Sequence, residues 1–222
     1  MRLGVKFSRT GRTRFVSHLD MQRLFSRALR RSGLPVKFSQ GFNPHIVTSF
    51  ASALAVGMET HGDYMEFYTT QDVDLNDAKK RLNDAMPDGI EILKLGEMAE
   101  KAPKLMAASA AARVNIVCDT DAALLREGIL KIIGAKEYIA QKKSKGKVRE
   151  LDIRPLIFDY DLDGGRMTLT LAHSGAGSLS PALLIDEAKK LSGAACEAYA
   201  VREDLLIEKN GKLVSMGELL EK

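Results

Sequence analysis

Apolar and polar residues alternate at the start of the chain. Leu3, Val5 and Phe7 stand between polar or small neighbours, and this period of two predicts a β-strand over residues 2–8. The residues that follow, Arg9-Thr10-Gly11-Arg12, predict a turn because glycine interrupts regular structure there.

The apolar residues then change to the period of an α-helix. Ser17 and Asp20 have the spacing of a helix-capping pair, and Gly33 followed by Pro35 is typical of a helix end. The residues that should face the core follow the i, i+3, i+4 spacing and are Met21, Leu24, Phe25, Ala28 and Leu29. We therefore expect a helix over residues 17–32 with one buried side.

Strand-like and helical patterns alternate along the rest of the chain. Residues 1–96 give the order β-α-β-β-α-β, which predicts a ferredoxin-like unit. Residues 97–112 are rich in alanine and lysine and are predicted to be a linker or a short connecting helix. A looser version of the same order returns over residues 113–222, with an extra strand pair around residues 143–146. The predicted fold class is α+β, with two tandem ferredoxin-like halves of which the second carries an inserted hairpin.

Positive charge is concentrated in the first 45 residues. This stretch has ten arginines and lysines but one acid, Asp20, so it carries +9, whereas the whole chain carries +4 and the remainder therefore −5. Arginine pairs with phosphate through two parallel hydrogen bonds, so a polyanion such as RNA is the favoured partner. The alternative is a solvated basic face without a ligand.

The arginines also follow a pattern. Like charges at i, i+4 disfavour a helix, so the repeated arginines of the predicted helix indicate a role outside helix stability. We interpret them, with two arginines of the preceding turn, as contacts for phosphate groups, and they are Arg12, Arg14, Arg23, Arg27, Arg30 and Arg31.

Residues 38–45, with the sequence FSQGFNPH, are predicted to be a recognition loop. Glycine and Asn-Pro favour an irregular backbone, and Phe38 and Phe42 are suited to stacking on bases of single-stranded RNA. Packing of both rings into the core is the alternative. The candidate RNA contacts of this loop are Gln40, Phe42, Asn43 and His45.

The predicted hairpin carries a second basic patch. Its candidate RNA contacts are Lys143, Lys145 and Arg149. Lysines on an edge strand also serve to prevent aggregation, which is the alternative role for this patch.

Ser17, His18 and Asp20 are residue types of a hydrolytic triad. Neighbouring residues at a helix start point in different directions and cannot form the required relay. One catalytic hypothesis remains, in which His18 acts as a general acid or base on an RNA 2′-hydroxyl; packing of His18 at the helix start is the alternative.

No metal site or cofactor is predicted. His18, His45 and Asp20 lack a spacing specific for metal ligands, and Cys118 and Cys196 belong to no cysteine motif, so we expect both to be buried thiols. The chain has no apolar run of about 18 residues and no secretory signal, so we expect a cytoplasmic protein without membrane contacts.

Five motifs together resemble the radical SAM-linked protein family, a domain of unknown function. They are FSRTGR (7–12), FVSHLD (15–20), ALRRSGLP (28–35), FSQGFNPH (38–45) and RELDIRP (149–155). Members of that family are fused to, or encoded beside, a cobalamin-binding-type radical SAM protein, so the resemblance implies such a partner. With two cysteines, the chain lacks the three-cysteine cluster motif and is not itself the radical enzyme.

The residues and the resemblance together lead to one expectation and two alternatives. We expect a non-catalytic RNA-binding adaptor or accessory protein that works with a radical SAM enzyme, with tRNA or rRNA as the RNA. The first alternative is a metal-independent RNA endonuclease that uses His18. The second is a protein–protein docking module whose basic face binds an acidic partner.

Overall fold

The computed structural model describes residues 1–144, 147–162 and 166–220 and has the predicted α+β class. Its strands are β1 (Arg2–Arg9), β2 (Thr48–Phe50), β3 (Glu59–Tyr68), β4 (Ile90–Glu97), β5 (Ser109–Cys118), β6 (Ile139–Ser144), β7 (Lys147–Asp152), β8 (Ile157–Asp161), β9 (Thr168–Ala172), β10 (Ala198–Lys209) and β11 (Lys212–Ser215). Its α-helices are α1 (His18–Arg31), α2 (Leu75–Asp84), α3 (Leu105–Ala108), α4 (Ala122–Gly134) and α5 (Pro181–Ser192).

The chain divides into two units. The first comprises Met1–Ser109 together with Asp204–Lys222, and the second comprises Ala110–Glu203. Strand β10 therefore begins in the second unit and ends in the first. The expected second half was residues 113–222, whereas Asp204–Lys222 belong to the first unit.

In the first unit, β1 lies between two strands of the sheet. It pairs antiparallel with β3 on one side and with β4 on the other, so that Val5 lies opposite both Met65 and Leu95. Strand β2 pairs with β3. The order of elements is β1-α1-β2-β3-α2-β4, which is the order predicted for the first 96 residues.

Helix α1 has the boundaries and the buried side that the sequence predicts. The Ser17 hydroxyl accepts a hydrogen bond from the Asp20 backbone N–H at 3.2 Å, and Gly33 ends the helix with a φ of +64°. The buried side packs on the sheet, where the rings of Phe25 and Phe7 have centroids 4.8 Å apart. This packing fixes which side of α1 faces solvent.

The opposite face of this sheet is covered by the C-terminal segment. Side chains alternate along a strand, so Gly4 faces away from the core formed by its neighbours Leu3 and Val5. A β-carbon at Gly4 would lie 2.9 Å from the Leu220 side chain, and one at Gly96 would lie 2.7 Å from the Leu220 carbonyl oxygen. Two glycines on adjacent strands thus make room for the end of the chain.

A polar cluster holds the same segment in place. The Tyr64 hydroxyl donates to Asp204 Oδ1 at 2.5 Å, the Ser215 hydroxyl donates to Asp204 Oδ2 at 2.7 Å, and Lys6 Nζ lies 3.2 Å from Asp204 Oδ1. Burial, together with the charge of Asp204, raises the pKa of Tyr64 well above its usual value. The phenol therefore remains a hydrogen-bond donor to the carboxylate.

In the second unit, β9 pairs antiparallel with both β5 and β8. Strands β6 and β7 form a separate two-stranded sheet, which confirms the predicted inserted hairpin. Helices α4 and α5 pack closely because Gly128 leaves room for the backbone carbonyl of Ala188. Among the described residues, no helix has the length and apolar character needed to span a membrane.

Candidate nucleic-acid interface

Four arginines of α1 lie on its solvent-exposed side. They are Arg23, Arg27, Arg30 and Arg31. Arg23 Nη1 lies 3.0 Å from Asp20 Oδ1, but both side chains are exposed, so this ion pair leaves Arg23 accessible. Arg27 has no hydrogen bond or ion pair within the described parts of the chain. Arg31 Nη2 donates to the Ala85 carbonyl at 2.6 Å, which holds the side chain without neutralising its charge. The helix therefore presents a row of guanidinium groups, and among the described residues Arg23 alone of the four has an ion-pair partner.

The turn before α1 contributes unequally to this surface. Residues Gly11–Phe15 form a short 3₁₀ helix in which Arg12 is exposed. Arg14 Nη1 lies 3.3 Å from Glu59 Oε1, and its guanidinium carbon lies 4.9 Å from the centre of the Phe15 ring. The charge of Arg14 is thus balanced inside the fold. We call Arg12 and the four exposed arginines of α1 the arginine surface.

Three other bases of the first 45 residues do not add to the exposed charge. Arg2 pairs with Glu66 at 2.6 Å, and Lys6 pairs with Asp204. Arg9 is 2% exposed. The excess of +9 in the sequence therefore overstates the charge at the surface, because tertiary partners far along the chain neutralise part of it.

Arg9 has a structural role that the sequence analysis missed. Its Nη1 donates to the Val16 carbonyl at 3.1 Å, and its Nη2 donates to the carbonyls of Ala55 and Met58 at 3.0 and 2.8 Å. One buried guanidinium therefore joins the residue before the α1 cap to the turn between β2 and β3. The sequence signal available for this role was the position of Arg9 directly after the alternating residues 2–8.

The α1 start is ordered by a small network. The Ser17 hydroxyl donates to Asp20 Oδ2 at 2.7 Å, while Arg23 donates to Asp20 Oδ1. These two contacts, with the hydrogen bond from Ser17 the larger cause, lower the pKa of Asp20 below its usual value. Asp20 is thus engaged by Ser17 and Arg23 and forms no dyad with His18 among the contacts of the described residues.

His18 lies half-buried against the core. Its ring meets Phe50 edge to face with centroids 5.6 Å apart, and its Nε2 lies 3.2 Å from the Gln22 amide nitrogen. His18 therefore packs at the start of α1, which is the arrangement expected if it has no catalytic role. No group of three or more metal-ligating side chains occurs in the described residues, so His18, Asp20 and His45 do not come together there as a metal site.

The recognition loop is closed at its base and open at its tip. The Ser39 hydroxyl lies 3.0 Å from His45 Nδ1, and the Ser39 N–H donates to the His45 carbonyl at 2.8 Å. Gly41 has a φ of +121°, which glycine adopts without strain. Phe42 projects from this tip with a relative exposure of 106%, so its packing into the core is excluded.

Other residues of the loop are placed in different ways. Gln40 and Asn43 are exposed beside Phe42. Phe38 is partly exposed and lies under Arg30, whose guanidinium carbon is 6.0 Å from the centre of the ring. This contact brings the recognition loop beside the arginine surface in the first unit.

The hairpin of the second unit carries the remaining candidates. Arg149 is exposed and lies opposite Lys142 in the β6–β7 pairing. Lys145 lies outside the described residues, and so does the side chain of Lys143.

Three exposed apolar side chains of the first unit were not predicted. Phe15, Leu19 and Val56 are each about three-fifths exposed. Leu19 lies off the i, i+3, i+4 pattern of the buried residues in α1, which was a usable signal. Phe15 lies beside the guanidinium of Arg14, whose charge is balanced by Glu59, so this part of the surface is mainly apolar.

Neither cysteine is placed as a reactive group. Cys196 is buried and Cys118 is partly buried, so the expectation of two buried thiols holds fully for Cys196 alone. Burial raises the pKa of the Cys118 thiol to about 11, which keeps it protonated near neutral pH.

The chain resembles a solved structure at low sequence identity. The crystal structure of an unknown protein from Galdieria sulphuraria is similar at 12% identity, covering 90% of this chain and 97% of the other, with a TM-score of 0.28. No curated protein matches the sequence.

Comparison with protein families gives a clear match. Residues 2–181 match a family described as an uncharacterized protein conserved in bacteria, DUF2344. The matched region includes α1, the recognition loop and the β6–β7 hairpin. Because it covers most of the sequence, the chain belongs to the DUF2344 family.

Proposed function

We propose that this protein is a non-catalytic RNA-binding adaptor that works with a radical SAM enzyme. The observation that supports RNA binding best is the arginine surface together with the exposed ring of Phe42, which lies in the loop that contacts Arg30 through Phe38. Phosphate oxygens are bound well by guanidinium groups, and base faces stack on exposed aromatic rings. The recognition loop and α1 offer both chemistries within the first unit.

The placement of this surface suggests a mode of binding. Many single-stranded RNA readers stack bases on the open face of a β-sheet. In the first unit that face is occupied by Leu220 and its neighbours. We therefore assign RNA binding to α1 and the recognition loop, with tRNA or rRNA as the class of ligand.

The radical SAM partner rests on a different argument. It comes from the resemblance of the five sequence motifs to a family encoded beside such enzymes. The adaptor would bind the RNA substrate and present it, while the radical chemistry belongs to the partner. Affinity purification of the tagged protein from its native cells, followed by identification of bound proteins, tests this part separately.

RNA binding is tested by reversing charge on the arginine surface. The double variant R27E/R30E should increase the Kd for total tRNA at least about tenfold, because two phosphate contacts become repulsive. The wild-type Kd should also increase steeply from low to moderate salt concentration. Fluorescence anisotropy with labelled RNA measures both.

The matched control is K101E/K104E. Both lysines are exposed in the first unit and lie outside α1. Their replacement by glutamate changes the net charge by the same amount as R27E/R30E. Equal affinity of wild type and R27E/R30E would refute the assignment, and so would an equal loss in both variants.

The endonuclease alternative predicts a different outcome for one substitution. H18A should retain RNA affinity within about twofold, since His18 contacts Phe50 and Gln22 rather than the arginine surface. RNA cleavage by the wild type that disappears in H18A would favour the endonuclease over the adaptor.

A further inference from the structure

A groove of about 710 Å³ opens in the first unit, beside the end of β4. It is lined by residues of the 97–103 turn with Ala108, and by residues 207–209 with Glu218 and Leu219. Its apolar lining includes Pro103, Leu219 and three alanines, with the buried side chains of Met98 and Ile207 beneath them. We call it the acidic groove, for the charges described next.

Glutamate dominates the charged lining. The groove contains Glu97, Glu100, Glu208 and Glu218, against one base, Lys209. Lys209 Nζ lies 2.9 Å from Glu218 Oε2, so this pair is balanced. The other three glutamates have no ion pair within the described residues. An apolar floor is thus bordered by three uncompensated negative charges.

The wall of the groove is held firmly. Arg2 Nη1 donates to the Ala102 carbonyl at 2.6 Å, and its Nη2 donates to the Pro103 carbonyl at 2.8 Å. The Met98 N–H donates to the Arg2 carbonyl at 2.9 Å. Because the turn is fixed in the free protein, a ligand would lose little free energy in ordering it.

We propose that the acidic groove binds a cationic amphipathic segment of a partner protein. Apolar side chains of such a segment would cover the floor, while lysine or arginine side chains would pair with Glu97, Glu100 and Glu208. Docking of an amphipathic helix into an apolar groove is a recurrent mode of peptide recognition.

Charge complementarity selects this occupant over RNA. Three unpaired carboxylates repel a phosphate backbone, whereas they attract a basic peptide. The arginine surface and the acidic groove therefore bind ligands of opposite charge. The groove proposal does not depend on RNA binding, and each can be refuted without the other.

Three labelled probe peptides test the proposal by fluorescence polarisation on the full chain. The first peptide carries leucine on one face of a helix and lysine on the opposite face. The second replaces its lysines with glutamate, and the third replaces its leucines with serine. The leucine–lysine probe should bind at least about tenfold more tightly than either of the others, since both apolar contact and positive charge are required.

Substitutions then locate the site. E97Q/E100Q/E208Q should increase the Kd of the leucine–lysine probe at least about tenfold. A99R adds a cation to the exposed lining and should increase this Kd to a similar extent. The control E137Q/E150Q/E197Q removes three exposed glutamates of the second unit and should leave the Kd within about twofold. RNA affinity of the groove variants should not decrease.

Several outcomes would overturn the proposal. Equal loss in the groove and control variants would mean nonspecific attraction. Tight binding of the serine–lysine probe would mean an acidic surface without apolar recognition. Self-association of the chain that A99R abolishes in sedimentation measurements would make a second copy the occupant instead.

Discussion

At the scale of single residues, two side chains of similar sequence context have opposite roles. Arg9 and Arg12 belong to one basic motif, yet Arg9 is buried and Arg12 is exposed. The difference arises because Arg9 ends β1 and its guanidinium donates to three backbone carbonyls in the interior of the fold. Charge alone therefore does not identify a ligand-binding residue.

Replacement of Arg9 should destabilise the protein. R9A removes the guanidinium that donates to the carbonyls of Val16, Ala55 and Met58, and we expect the free energy of unfolding to fall by about 2–4 kcal/mol. Urea denaturation followed by circular dichroism measures the change. R12A, an exposed counterpart, should stay within about 0.5 kcal/mol of wild type; equal effects would contradict the role assigned to Arg9.

His173 should make stability depend on pH. Burial, with a smaller effect of the Arg202 charge, lowers its pKa from 6.5 to about 4. The unfolded chain therefore binds more protons than the folded chain between those values. Protonation of His173 costs no stability above about pH 6.5, and it lowers the free energy of unfolding as the pH falls toward 4.

The decrease attributable to His173 should reach about 2–3 kcal/mol. Urea denaturation across this pH range, compared between wild type and H173Q, isolates the contribution. A curve for H173Q with the same slope as wild type would show that other groups cause the dependence.

At the scale of elements, α1 and the recognition loop differ in what they offer a nucleic acid. The helix presents guanidinium groups, which bind the phosphates of paired and unpaired RNA alike. The loop presents the ring of Phe42, which can stack only on a base whose face is accessible. In an A-form duplex those faces are already stacked.

On the proposed function, F42A should therefore weaken binding selectively. We expect the Kd for single-stranded RNA to increase about tenfold and the Kd for a duplex of the same length to remain within about twofold. Anisotropy titrations measure both. F158A removes a half-exposed phenylalanine of the second unit and serves as the control; equal losses for both RNAs would refute stacking by Phe42.

The elements were predicted well where their signals are local. Ser17, Gly33 and the spacing from Met21 to Leu29 define α1, since capping and burial involve residues one or two turns apart. The exposure of Phe42 could not be decided in the same way, because an aromatic ring beside glycine has similar signals in a core and at a loop tip. The pairing of Arg14 with Glu59 was equally inaccessible, as it joins residues far apart in sequence.

At the scale of the whole molecule, the end of the chain completes the first unit. Leu220 meets both Gly4 and Gly96, although it lies far from both of them in the sequence. No periodicity links them, so the sequence analysis assigned the last residues to the second half.

Substitution of Gly96 should show how much this contact contributes. In G96A the new β-carbon would lie 2.7 Å from the Leu220 carbonyl oxygen, and we expect the unfolding free energy to fall by about 1–3 kcal/mol. Thermal unfolding measures the change. G134A, at a helical glycine with open space around it, should be neutral or slightly stabilising. A neutral G96A would mean that Leu220 shifts without cost.

The division of β10 between two units has a consequence for biosynthesis. Residues 1–109 leave the ribosome before the second unit, and Asp204 follows only after roughly ninety further residues. At about 5–20 residues per second, the nascent first unit waits about 5–20 seconds for its last segment. During that interval the sheet face around Gly4 and Gly96 is uncovered. A pause in translation before codon 204 would prolong this state and extend the time in which a chaperone can bind it.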